Sequence, residues 1–252
     1  MMVIRRKAPK DKYLVGLSDI HFGAKTARTD LAERARDWIL KHDAWVWDLG
    51  DVIELATRYS VGAGVYEQTR SPDAQIDWAI EFYKPIVERE LLIGMVDSNH
   101  QARSYKEVGI NSTKQIARGL GVPYMGHSGH LLLRVGKQTY TVFGHHGKSS
   151  TVTPQGKVAA VLKMGDSVDV DIVMMAHVHR IDHQVELQRT IDLRSKAAIK
   201  KEKHYIITGS YVDYDEGYPE AAQYTPEELG TPALLLHGSE KKVSFIRNII
   251  HE

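Results

Sequence analysis

The sequence predicts an α/β fold whose functional residues stand where strands end, and three observations carry that expectation. Short apolar runs alternate with stretches of helical period, and five of the runs stop on carboxylate, carboxamide or imidazole side chains. No repeat, low-complexity tract or linker divides the 252 residues, so they read as one domain, 1–252. Open α/β sheets gather their sites at the carboxyl ends of strands.

Composition narrows the chemistry. A net charge of +1 gives no argument for a nucleic-acid or membrane partner. Zero Cys excludes disulfides, thiolate metal sites and a Cys nucleophile, so any metal must be held by His, Asp, Glu or Asn, and thirteen His are a generous supply. The N-terminus puts apolar residues before a basic run, the reverse of a secretory leader. No apolar stretch approaches the roughly eighteen residues of a spanning helix. The expectation is a soluble, cytoplasmic protein without a membrane partner.

Taken in order, Leu14, Val15 and Leu17 predict a buried strand closing on Asp19 and His21. Side chains two apart on extended chain face the same way, so this carboxylate and imidazole can converge on one point. Residues 29–42 predict a helix with Leu31, Ala35, Trp38 and Ile39 on one face and a capping box from Asp30 to Glu33. Ala44 to Leu49 is a second strand, ending at Gly50-Asp51, and residues 54–70 read as a loop over the strand ends. Ser71-Pro72 opens a helix striped by Ile76, Ile80, Tyr83 and Val87, which Pro85 should kink or shorten.

Leu91 to Val96 is a third strand, running into Asp97-Ser98-Asn99-His100. Ser112 to Leu120 predicts a helix capped by Gly121, and the segment from Gly126 to His130 reads as a loop. Leu131 to Val135 and Thr139 to Phe143 form a hairpin about Gly136-Lys137, delivering His145-His146-Gly147. After a helix over 158–164, Asp171 to Ala176 ends in His177-Val178-His179. The remainder is β-rich, with strands over 184–193, 205–207, 233–236 and 243–249.

One Asp-x-His is weak evidence, because such residues usually cap turns or sit on the surface. Five strand ends carrying ligand-type residues make separate coincidences a poor explanation. In order, Asp19-x-His21, Gly50-Asp51, Asn99-His100, His146-Gly147 and His177-x-His179 resemble the five blocks of the calcineurin-like metallophosphoesterases. The resemblance spans roughly 14–180 and continues into the β-rich tail. It implies a four-layer α/β/β/α sandwich with two mixed β-sheets and a dinuclear metal site at the strand ends.

Carried over by position, Asp19, His21, Asp51 and His179 would hold one divalent ion, and Asp51, Asn99, His146 and His177 the other. Asp51 would bridge, since a carboxylate has two oxygens to span ions about 3.5 to 4 Å apart. His146 is preferred to His145 because the family ligand directly precedes Gly. Mn2+ is the expected ion, with Fe, Zn, Ni or Co also compatible with N and O ligands.

The implied activity is phosphoester hydrolysis by a metal-activated hydroxide attacking in line, with His100 as general acid. A phosphodiesterase, nuclease-like, is favoured; a phosphomonoesterase acting on nucleotides or phosphoproteins, or a non-catalytic interaction platform, is the alternative. Many relatives follow Asn-His with an acid, whereas this chain has Gln101, so the carboxamide is expected to orient His100 without favouring its protonation. Arg103 is a candidate phosphate clamp.

Ser60-Val61-Gly62, Val65-Tyr66-Glu67-Gln68, Ser71-Pro72, Thr208-Gly209-Ser210, Tyr218 and Tyr224-Thr225-Pro226 resemble a phage or prophage branch near DNA metabolism. DNA or RNA is therefore a candidate substrate. The basic stretch Arg189 to Lys203 suits a phosphate backbone, although edge strands also collect Lys against aggregation. Tyr211, Tyr214 and Tyr218 are candidates for stacking on bases.

Overall fold

A computed structural model describes residues 2–57, 60, 66, 68–149, 151–192, 196–215 and 225–252. Val61, Gly62, Val65, Glu67, Tyr218 and Tyr224, singled out above, and Arg194 of the basic stretch lie outside them. The elements are β1 (Met2–Ala8), β2 (Lys12–Leu17), α1 (Thr29–Lys41), β3 (Trp45–Asp48), α2 (Pro72–Glu88) and β4 (Leu92–Met95). There follow α3 (Asn99–Val108), α4 (Ser112–Leu120), β5 (Ser128–Val135), β6 (Gln138–His145), α5 (Pro154–Gly165) and β7 (Ile172–Met175). Then come β8 (Ile181–Asp192), β9 (Ala197–Thr208), β10 (Ala233–Leu236), β11 (Val243–Ile246) and a closing 3-10 turn, Ile249–His251.

Two mixed sheets result. One has the order β11-β10-β2-β3-β4, in which β2, β3 and β4 run parallel and β10 is antiparallel to both neighbours. The other has the order β1-β5-β6-β7-β9-β8. Alternation along strands sorts residues between layers: on β7, Ile172 and Met174 join the apolar layer between the sheets, while Val173 and Met175 join a separate cluster with Val161 of α5. Gly16 faces the opposite sheet, where an added Cβ would lie 2.7 Å from Met174 Cε. The opposite face of the five-stranded sheet is covered by Ala35 and Ile39 of α1 and by Phe82 and Ile86 of α2. The architecture is thus α/β/β/α.

Local chemistry explains most boundaries. Ser71 caps α2 by accepting from the Ala74 N–H, with Pro72 in the first turn, and the helix runs one turn past Pro85. Gly121 closes α4 at φ 68°. Two expectations are corrected. The helix from Thr29 has no capping box, since Asp30 lies inside its first turn and pairs with Arg28 at 2.8 Å. Ser128 to His130 belong to β5, not to a loop, because they pair with His145 to Phe143. Two elements that the sequence reading left unassigned complete the fold: the N-terminal residues form β1, parallel to β5, and α3 follows directly from Asn99. Among the described residues, no helix is long and apolar enough to cross a membrane.

Candidate metal centre

The loops after β2, β3, β4, β6 and β7 meet at one end of the sandwich, zipped together by backbone hydrogen bonds. Asp19 N donates to Gly50 O, His21 N to Asp51 O, Ala176 N to His146 O and Tyr211 N to Asp19 O, each at 3.0 to 3.1 Å. These turns are sharp. Of nine non-glycine described residues with positive φ, five are Asp19, His21, Asp51, His177 and His179. Such conformations cost on the order of 1–3 kcal/mol each and collect where a site over-determines them.

Asp51 is the hub. Its Oδ1 accepts the His100 backbone N–H at 3.2 Å, leaving Oδ2 with His146 Nε2 at 3.0 Å, His100 Nε2 at 3.8 Å and His21 Nε2 at 4.0 Å. Asp19 Oδ2 accepts the His177 N–H, while Oδ1 lies 3.2 Å from His179 Nε2 and 3.8 Å from His21 Nε2. Oδ2 is the Asp51 oxygen that lies within 4.0 Å of rings from both groups of histidines.

Three of the rings are fixed through their other nitrogen. His146 Nδ1 lies 2.8 Å from Leu49 O and His21 Nδ1 2.8 Å from Glu54 Oε2, so both rings keep Nε2 for the centre. His177 Nε2 reaches Ser149 O at 3.1 Å, leaving Nδ1 beside the Asn99 amide at 2.9 Å. His145 stands aside, with Nδ1 accepting the Gly147 N–H.

Asp19 Oδ1, His21 Nε2 and His146 Nε2 are buried, and although ion-pair partners stand 3.0 to 4.0 Å away, none of the three makes an aligned hydrogen bond among the described residues. Buried polar atoms are normally satisfied, so three such atoms converging on two carboxylates ask for cations. Two three-residue groups can hold a metal ion, Asp19 with His21 and His179, and Asp51 with His146 and His177; a third joins His21, Glu54 and His100. Without a cation the rings take protons instead. Burial opposes the charge, but Asp19 and Glu54 outweigh it and raise His21 to about 10, and Asp51 does the same for His146, raised to about 9. Asp51 itself is held well below the usual carboxylate range, its burial overcome by His100 and His146.

His100 differs. Burial pushes it down to about 4 against the pull of Asp51, and its Nδ1 is tied to Glu54 O at 2.6 Å. Gln101 does not orient it: Gln101 Oε1 accepts from Ser98 N and Oγ at 2.6 Å, closing the capping box of α3. Ser98 has φ −128°, so the turn needs no glycine there. Arg103 reaches Glu54 Oε1 at 3.3 Å.

Two other expectations change. Tyr211 is fully buried and cannot stack on a base. Within the basic stretch, Lys203 is buried and donates to Gly165 O at the end of α5 and to Val168 O beyond it, and Lys201 pairs with Asp169. Glu54 was missed altogether. Its signal was a lone acid in Val52-Ile53-Glu54-Leu55, where the three apolar neighbours are buried.

No family profile and no curated protein matches the chain. Solved structures similar to it include a metallophosphoesterase from Sphaerobacter thermophilus, 14% identical over 94% of this chain and 88% of that one, TM-score 0.44. A Vps29 complexed with Zn2+ from Entamoeba histolytica is 12% identical over 93% and 98%, TM-score 0.41. A hypothetical protein from Pyrococcus horikoshii is 13% identical over 99% and 91%, TM-score 0.44.

Proposed function

We propose that the chain is a phosphoester hydrolase of one domain that works with two divalent cations, Mn2+ first among them. One observation carries this reading: the three buried atoms Asp19 Oδ1, His21 Nε2 and His146 Nε2, gathered about Asp51 without an aligned hydrogen bond among the described residues. Asp19, His21, Asp51 and His179 would hold one cation, and Asp51, Asn99, His146 and His177 the other. With both bound, the pair supplies a water acidified toward neutrality and neutralises charge on phosphoryl oxygens.

The protein's own groups do the rest. The Glu54 carbonyl holds His100 at Nδ1, which leaves Nε2 as the atom that passes a proton to the departing oxygen. Because burial keeps the charged ring scarce, leaving groups that need little protonation should react best. Arg103 spends a donor on Glu54, which weakens its case as a phosphate clamp and leaves less positive charge for a doubly ionised monoester. That balance favours a singly charged diester, and a nucleic-acid backbone is the natural polymer of this kind, with Arg189, Lys196 and Lys200 exposed on the β8–β9 hairpin to follow it.

Turnover of an aryl phosphodiester and of its monoester should be compared after metal removal and again with Mn2+ restored. The diester should be preferred, activity should require the metal, and Asp51→Asn should abolish it. A strong monoester preference would reject the diesterase assignment, and undiminished metal-free activity would reject the cation reading.

A further inference from the structure

We infer that Glu54 is a positioning residue that sets two rings of the centre with two different parts of itself, a proposal that rests on the two-cation reading. Its carboxylate takes the Nδ1 proton of His21 at 2.8 Å, and its backbone carbonyl takes the Nδ1 proton of His100 at 2.6 Å. Both rings are thereby held in the tautomer that keeps Nε2 for the centre, one as a ligand and one as a proton carrier. A single residue just past Asp51 thus couples cation binding to proton handling.

Glu54 is built to stay in place. Its N–H donates to Phe22 O at 2.8 Å, next to the turn that carries His21. The following Leu55, at φ 46°, donates its N–H to Gln75 Oε1 at 3.0 Å, and Gln75 is itself buried and bonded to Gln68 and Arg70. Arg103 Nη1 lies 3.3 Å from Glu54 Oε1, so the carboxylate meets positive charge from α3 on the side away from His21.

A competing assignment makes Glu54 a ligand to a third cation, since one atom each of His21, Glu54 and His100 lie within 4.8 Å of one another. The chemistry of the ring argues against it. His21 Nε2 already faces the centre, so Nδ1 could ligate another ion only by giving up its proton and leaving an imidazolate, whereas 2.8 Å from Glu54 Oε2 it keeps that proton in a hydrogen bond. The Arg103 guanidinium also already answers the Glu54 carboxylate.

Mn2+ binding by wild type, Glu54→Ala, the isosteric Glu54→Gln, His21→Ala and the His21→Ala/Glu54→Ala pair tests this, read by titration calorimetry on metal-free protein. Wild type should bind two ions. Glu54→Ala should still bind two, one of them weakened by about 10–100-fold, with Glu54→Gln between it and wild type. In the His21→Ala background, loss of Glu54 should cost nothing further at that ion, which a general structural role would not produce. Two ions at wild-type affinity in Glu54→Ala, or an undiminished penalty without His21, overturns the proposal and leaves the two-cation reading standing. Three ions in wild type falling to two in Glu54→Ala would make Glu54 a ligand and also overturn it. Wild type that binds no Mn2+ defeats the two-cation reading itself.

Discussion

Asp48 shows what a single side chain can cost and why it is kept. Fully buried on β3, it accepts the Gly50 N–H at 2.9 Å and the Tyr83 hydroxyl, and so shapes the turn that presents Asp51. Burial pushes its carboxyl up to about 7, with the Tyr83 and Gly50 hydrogen bonds pulling the other way. An unfolded Asp titrates near 3.9. Between about pH 4 and about pH 7 the unfolded chain has released a proton that the folded chain still holds, so stability falls as pH rises through that window and levels off above it. Asp48→Asn keeps an acceptor for Gly50 and removes the ionisation. The urea midpoint of the variant should therefore decline less than that of wild type from about pH 5 to about pH 8; parallel declines would show that Asp48 is not the cause. The legibility of single residues follows the same distinction between local and distant causes. Asp19, Asp51, His146 and His177 could be read because a ligand type recurs at strand ends. Glu54 could not, because its partners lie 33 residues earlier and 46 later in the chain. Tyr211 looked available to a ligand only because nothing local says that the core buries it completely.

At the scale of elements, the separation between sheets is set by where side chains are missing. Trp47 of β3 is fully buried between Gly129 of β5 and Gly144 of β6; a Cβ added at Gly144 would lie 2.5 Å from the indole ring. Gly144→Ala should therefore destabilise the protein by about 1–3 kcal/mol through overpacking, and Trp47→Phe in the same chain should return part of that loss. Additive losses in the double variant would mean that the two positions do not press on each other. Elements with an apolar stripe, such as α1, α2 and α4, could be read from the sequence for the same reason that they fold: one face is buried. Helix α3 has no such stripe, and its Ser98–Gln101 capping box was passed over in favour of a catalytic meaning. The β8–β9 hairpin was read only in part, because β9 pairs with β7 only from His204 to Ile207 and its outer half has only β8 beside it. With no buried face there, alternation fades and the strand signal with it.

At the scale of the whole molecule, the centre is where the two sheets depend on each other. Asp19 and Asp51 follow strands of the five-stranded sheet, while His146 and His177 follow β6 and β7 of the six-stranded one. Cations held among them would tie the sheets together and would bind only the folded chain, so they should stabilise it by about 2.7 kcal/mol at a free concentration 100 times the dissociation constant. In a chain of this length each kcal/mol raises Tm by roughly 2–4 °C. The size of the effect should depend on pH with a definite sign. Without metal, the carboxylates of Asp19 and Glu54 raise His21 to about 10 and Asp51 raises His146 to about 9, so at neutral pH the charged rings answer these acids, and that stability is lost as pH climbs through those values. A cation must displace these protons, which is harder at about pH 6 than at about pH 8.5. Thermal melts with and without Mn2+ should therefore show a Tm increment that grows across this range, while metal-free Tm falls above about pH 8. An increment that is flat with pH, or that survives in Asp51→Asn, would place the bound ions somewhere other than between the sheets.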